Sequence, residues 1–368
     1  MLLPAATEDD MTERGAMAGT GIGRRDFVGR AIGAAAAAAG FAAPRRARAQ
    51  GGEVVVCTWG GTYTEAQRKF FFDPFERETG IRVRTVGVPD IAKIRAMVQA
   101  RAVEWDMVDA EGQMMLRLAA DDMLERADFS VIPRGDLLPT AASDWGIGSV
   151  AYAYSLGWNS QKFPAGKQPR TWKDFFDTKA FPGRRAMYGQ PVPVLEFALL
   201  ADGVAPGALY PLDVDRAFRF LESRKDVVNI WYKSPAQIQT LFRGGEVDMV
   251  EGFSGRLIDL KKAGADVDWT FDNGAWMQSF WIVPKGAKNR EAAMRLMAHY
   301  TRPEPEAQFA ELFPYGMPNR LSYQKMSKET LALLPTAPGN VERQIQVDPA
   351  WWAKNIDAVL KRWLTFIG

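Results

Sequence analysis

From Glu53 onward the chain alternates short apolar runs with amphipathic stretches of helical period, a rhythm that leads to an open α/β sheet covered by helices. The spacing predicts a strand over 53–58, a helix over 64–78 and a strand over 81–86. A helix over 91–102 and a short strand over 107–110 follow. Gly80 is a fitting stop for the first helix, because glycine enters the left-handed conformation without a Cβ clash. A further strand is expected over 150–158, where Tyr152 and Tyr154 alternate with smaller residues. A second α/β block opens at 171–176, with helices over 194–202, 213–223 and 236–243. A third holds a strand at 280–283 and a helix over 290–302, and 314–368 reads as mostly helical. With 368 residues the chain can build two lobes, each with its own core.

The first 49 residues read as an address. Gly23-Arg24-Arg25-Asp26-Phe27-Val28 resembles the twin-arginine export motif and precedes an uncharged small-residue run over 31–43. That run is shorter than the ~20 residues a membrane-spanning helix needs. Arg45-Arg46-Ala47-Arg48-Ala49 ends in an Ala-x-Ala pattern, so cleavage is expected before Gln50, giving a soluble periplasmic product. Met17 would start a leader of more usual length than Met1.

Charge and rare residues exclude several classes of function. Seven of the 46 basic and five of the 44 acidic residues lie in 1–49, which leaves 39 of each. A near-neutral mature chain points to neither nucleic acid nor a membrane surface as partner. Cys57 is alone and sits in the apolar run Val54-Val55-Val56-Cys57, so it reads as a buried small hydrophobe. His299 is the single histidine, and no GxSxG elbow accompanies it. A histidine-based triad or a His/Cys metal site is therefore improbable, and neither an enzymatic activity nor a metal or cofactor is expected.

The stretch over 54–83, VVVCTWGGTYTEAQRKFFFDPFERETGIRV, resembles the opening of the spermidine/putrescine-type extracellular solute-binding proteins. Similar pieces recur in order: Trp105-Asp106-Met107-Val108, Gly157-Trp158-Asn159, Thr171-Trp172-Lys173-Asp174-Phe175, Lys179-Ala180-Phe181-Pro182-Gly183, Gly244-Gly245-Glu246-Val247-Asp248, Pro284-Lys285-Gly286-Ala287-Lys288-Asn289 and Pro314-Tyr315-Gly316. The resemblance implies the periplasmic receptor of an ABC importer, with membrane permease subunits as partner and the mature chain acting as a monomer. It also implies the type II periplasmic-binding-protein fold, two α/β lobes joined by three hinge crossings around a cleft. The expected crossings are 148–155, 250–255 and 300–318. Lobe one is expected to hold 50–148 and 256–302, and lobe two 155–250 and 312–368.

Ligand sites in open α/β sheets lie past the carboxyl ends of strands, where loops lead into helices. Trp59-Gly60-Gly61-Thr62-Tyr63 is such a loop, with glycines for close backbone approach and two aromatic walls. The other expected site residues are Glu111, Gly112, Gln190, Trp231, Gln237, Phe253, Arg256, Gln278, Ser279 and Tyr315. Ser234, before Pro235, reads as a helix cap rather than a ligand contact. The chain departs from the polyamine pattern at the acids that would hold ammonium groups: Arg256 and Ser279 stand where the family has acids. A guanidinium in a closing cleft repels a polycation and suits a carboxylate. The expected solute thus carries an anionic group on Arg256 and an ammonium on Glu111: an amino acid, opine or betaine-like zwitterion. A structural ion pair to Glu111 or Glu251 is the competing role for Arg256, and a helix N-terminal acid that for Glu111. The alternative solute is a polyamine held by Glu111, Asp109 or Glu251.

Overall fold

The computed structural model describes residues 52–368, so the expected leader lies outside the described residues. Among the described residues, ten strands form one continuous sheet. They are β1 (Glu53–Cys57), β2 (Arg82–Val86), β3 (Met107–Glu111), β4 (Ala142–Ser143), β5 (Gly146–Asn159), β6 (Arg185–Tyr188), β7 (Ile230–Tyr232), β8 (Met249–Phe253), β9 (Val267–Ile282) and β10 (Ile345–Gln346). The order is β2-β1-β3-β9-β5-β8-β6-β7, with β10 on β9 and β4 on β5. β1 pairs in parallel with β2 and β3, and β6 with β7 and β8, giving a small parallel sheet at each end.

β1 is apolar throughout because both its faces are covered. Val54 and Val56 pack with Phe71, Phe72 and Phe75, while Val55 and Cys57 pack with Ile94 and Met97. The first helical stretch runs from Gly61 to Thr79 with a π turn at Arg68–Phe72, and ends on Gly80 at φ 73° as its sequence predicts. Thr171 and Asp174 close a capping box at the start of Trp172–Phe176. Each half has its own core. Phe71, Trp281 and Tyr300 sit in one, and Trp172, Phe197, Trp352 and Trp363 in the other.

The halves are joined by β5 and β9, of 14 and 16 residues, each about 45–55 Å long at strand rise. They pair antiparallel through their middles, Tyr152 with Met277 and Tyr154 with Ala275, and β10 lies in parallel beside Ala275 and Trp276. Ala151, Ala153, Phe271 and Trp276 form a small separate cluster behind this three-stranded ribbon.

The joining segments differ from two of those expected. Residues 250–255 are not a crossing. β8 pairs with Tyr154–Trp158 of β5, and the helix Ser254–Lys262 places Leu257 and Leu260 against Ala186, Tyr232 and Ile238. The apolar face of that helix keeps 256–274 in the second half, and β9 makes the passage. Nor does 300–318 cross. Met317, Met326, Leu334 and Ala337 pack with Phe309 in the first half, and the chain passes over at 341–348 beside β9.

Candidate functional site

A cavity of about 450 Å³ opens between the halves, over one face of the β5–β9 ribbon. That is within the range for a small-molecule ligand. Its floor carries Val150, Tyr152 and Tyr154 from alternate positions of β5, together with Ser279 of β9. Three strand-to-helix loops supply the walls: Trp59 to Tyr63 after β1, Ser234 to Ala236 after β7, and Phe253 with Arg256 after β8.

The Gly60-Gly61 pair is required by geometry. Both residues have positive φ, 80° and 57°, which a side chain would strain. The turn aims Trp59 outward, 39% exposed, and Tyr63 inward, edge-on to Tyr315 at 6.0 Å. On the opposite wall Phe253 stacks on Tyr152 at 6.1 Å and tilts against Tyr154 at 4.3 Å. The cavity is thus an aromatic box whose polar groups are tyrosine hydroxyls, Thr62, Ser234, Ser279, Glu111 and Arg256.

Its formal charges are one cation and one anion. Arg256 is 34% exposed, and its nearest acid is Asp259, 3.7 Å away on its own helix. It forms no ion pair with Glu111 or Glu251 among the described residues. Glu111 ends β3 opposite Ser279 of β9, precedes the helix Gly112–Ala120, and makes no capping bond to it. Its carboxylate accepts hydrogen bonds from Gln113 Nε2 and from the Tyr152 hydroxyl, and burial raises its pKa above the usual range.

Two other acids nearby are used internally. Asp109 accepts from Tyr63 Oη at 2.9 Å and Ser149 Oγ at 2.6 Å, with burial pushing its pKa up to about 7. Glu251 accepts from the Tyr188 N–H at 2.7 Å and the Tyr232 hydroxyl at 3.3 Å, and burial pushes it up to about 8. Neither lines the cavity.

These acids bind protons more tightly in the folded chain than in the unfolded one, where they titrate near ~4. Stability is therefore present at low pH and is lost as pH rises toward 7–8. Thermal unfolding should show a falling midpoint from pH 5 to 8. Glu251→Gln should flatten the slope by up to about 1.4 kcal/mol per pH unit. An unchanged slope would assign the dependence to other groups.

Of the expected site residues, Trp59, Gly60, Gly61, Tyr63, Glu111, Phe253, Arg256, Ser279 and Tyr315 line this cavity. The other five do not. Gly112 lies beneath it, where a Cβ would come within 3.2 Å of Gln278 O and Pro349. Gln278 turns to the far face of β9 and donates to the Ser279 carbonyl at 2.9 Å. Trp231 is half-buried against the core of the second half, edge-on to Trp363 and Phe366. Gln237 accepts from the backbone N–H groups of Lys233 and Ser234 as part of a capping box whose N-cap residue is Ser234, as expected, and Ser234 also lines the cavity. Gln190 lines a neighbouring smaller cavity. Tyr152, Tyr154 and Tyr188 were missed, although the alternation at 150, 152 and 154 places those positions on one face.

Cys57 and His299 both lie outside the cavity. Cys57 is buried, with its thiol pushed up to about 12, and His299 packs edge-on against Phe75. Among the described residues, no helix is long and apolar enough to cross a membrane.

The profile of the bacterial extracellular solute-binding protein family matches residues 71–336. A gamma-aminobutyric acid-binding protein of Pseudomonas aeruginosa PAO1 is 30% identical over 332 residues, 88% of this chain and 93% of its own. A spermidine/putrescine-binding periplasmic protein of Escherichia coli K12 is 23% identical over 279 residues, 73% and 79% of the two chains. Among solved structures, an ABC transporter substrate-binding protein from Bradyrhizobium japonicum USDA 110 superposes with a TM-score of 0.82 at 34% identity. It covers 86% of this chain and all of its own. The binding protein AgtB of Agrobacterium tumefaciens R10, in complex with agropinic acid, gives 0.75 at 33% identity, with 86% and 98% covered.

Proposed function

The chain belongs to the bacterial extracellular solute-binding proteins, the receptors of ABC importers, and we propose that its solute is a small zwitterion whose carboxylate and amine lie several atoms apart. The observation that carries this reading is the pairing of Arg256 with Glu111 in one aromatic cavity. The planar guanidinium takes the carboxylate in a charge-assisted hydrogen-bonded pair. Glu111 takes the ammonium, with the faces of Tyr152, Tyr154 and Tyr188 adding cation–π attraction. The name of one similar protein fits this class, that of the gamma-aminobutyric acid-binding protein.

In this reading the receptor holds its solute without converting it. The solute favours the closed state by touching both halves at once. The β5–β9–β10 ribbon acts as the hinge, and the closed form docks on a permease. The receptor works as a monomer in the periplasm, reached through the twin-arginine leader. A polyamine is not favoured: it needs a carboxylate for each ammonium, whereas this cavity offers one and adds a cation.

Differential scanning fluorimetry with 4-aminobutyrate, other ω-amino acids, opines, betaines and putrescine tests the assignment. A true solute at one hundred times its Kd stabilises by about 2.7 kcal/mol. We expect a shift from a zwitterion and none from putrescine; the reverse pattern would replace the zwitterion by a polyamine. Affinity should also weaken as pH falls, because burial raises the pKa of Glu111 and a protonated Glu111 no longer attracts an ammonium. Calorimetric titration at pH 5 and pH 8 measures this.

A further inference from the structure

A second cavity of about 260 Å³ adjoins the first and shares Glu111, Tyr154 and Tyr188 with it. Tyr152 and Met277 are register partners on the ribbon, and Tyr154 lies two residues along β5 from Tyr152, so one face floors both spaces. Arg256 lines only the larger space and Arg117 only the smaller, while Glu111 borders both. The trough therefore presents charges in the order cation, anion, cation.

Arg117 sits on the helix Gly112–Ala120 in the first half. It meets Asp357, on the helix Pro349–Ile367 of the second, at 2.7 and 2.9 Å. Both bonds use Nη2. Nε and Nη1 donate no hydrogen bond among the described residues. Asp357 is 76% exposed against 18% for Arg117, so the pair is a weak surface one that Arg117 can share with a ligand at little cost.

Resting on the zwitterion reading above, we propose that the two cavities form one site for a secondary amine with two carboxylate-bearing arms. The ammonium lies at Glu111, one carboxylate at Arg256 and the other at Arg117. A primary ω-amino acid fills only the Arg256 side. A substituent on its nitrogen has to point past Glu111 into the smaller space, where Gln113 and Gln190 offer further polar contacts beside Arg117. Arg117 then acts as the residue that distinguishes N-carboxyalkyl amino acids from their simple parents.

Calorimetric titration of the protein with 4-aminobutyrate, its N-methyl derivative and its N-carboxymethyl derivative tests this. The N-carboxymethyl compound should bind at least tenfold more tightly than the N-methyl one. Arg117→Met should bring that ratio to about one. Asp357→Asn leaves Arg117 in place without its partner, and should keep or raise the ratio. A ratio near one in the unsubstituted protein overturns the proposal. So does an equal loss in Arg117→Met and Asp357→Asn, which would make the ion pair a structural strut. Should none of the three compounds bind, the zwitterion reading falls and this inference with it. Binding of 4-aminobutyrate with no gain from the added arm ends this inference alone.

Discussion

Replacing Arg256 with Asp should weaken binding of the zwitterionic solute at least about 100-fold, the largest effect expected from any single exchange in the cavity. Truncating one member of a desolvated charge pair costs about 2–5 kcal/mol. The Asp side chain then adds repulsion toward the solute's carboxylate. The fold should be little affected, because Arg256 is about one-third exposed and its nearest acid is 3.7 Å away on the same helix. The thermal midpoint of the ligand-free variant should therefore stay near that of the parent. Isothermal titration of both proteins with the solute found by fluorimetry reads the loss directly. A change of less than threefold would mean that the carboxylate binds elsewhere, for instance on the backbone N–H groups of the loop after β1. Glu111→Gln should weaken binding by about tenfold, since a neutral amide still offers the ammonium an oxygen.

Arg185→Met should destabilise the second half by about 4 kcal/mol without touching the cavity. Arg185 is fully buried, and its guanidinium donates to the carbonyls of Phe175, Asp177, Phe181 and Gly183. It ties the loop between Trp172–Phe176 and β6 into a closed turn around a single cation. A methionine fills much of the volume but satisfies none of the four acceptors, and each buried carbonyl left unpaired costs ~1–3 kcal/mol. Calorimetric unfolding should show a midpoint lower by about 10 °C, at ~2–4 °C per kcal/mol for a chain of this size. A loss below 1 kcal/mol would show that water or a loop rearrangement replaces the lost donors.

Arg184-Arg185 also marks a limit of sequence reading. The two arginines at the entry to β6 point opposite ways, Arg184 exposed and Arg185 buried, yet nothing in the string says which is dry. The same ambiguity moved Trp231 from the cavity to the edge of the core, where Trp363 and Phe366 from the last helix meet it. Gln237 left the cavity for a local reason: it closes the capping box begun at Ser234, and its side-chain carbonyl takes both backbone donors.

The chain's own order of residues determined what depends on neighbours in sequence. The βα rhythm, the stop at Gly80 and the Gly-Gly turn after β1 are all local patterns with local causes. Tertiary structure decided what depends on residues far apart in the chain. It took 256–274 into the second half through Leu257 and Leu260, and set β9 and 341–348 beside β5 as the joining ribbon. It turned Asp109 and Glu251 inward and left Glu111 open to the cavity. Burial and pairing are properties of the assembled core, fixed only when distant segments compete for the same water-free space.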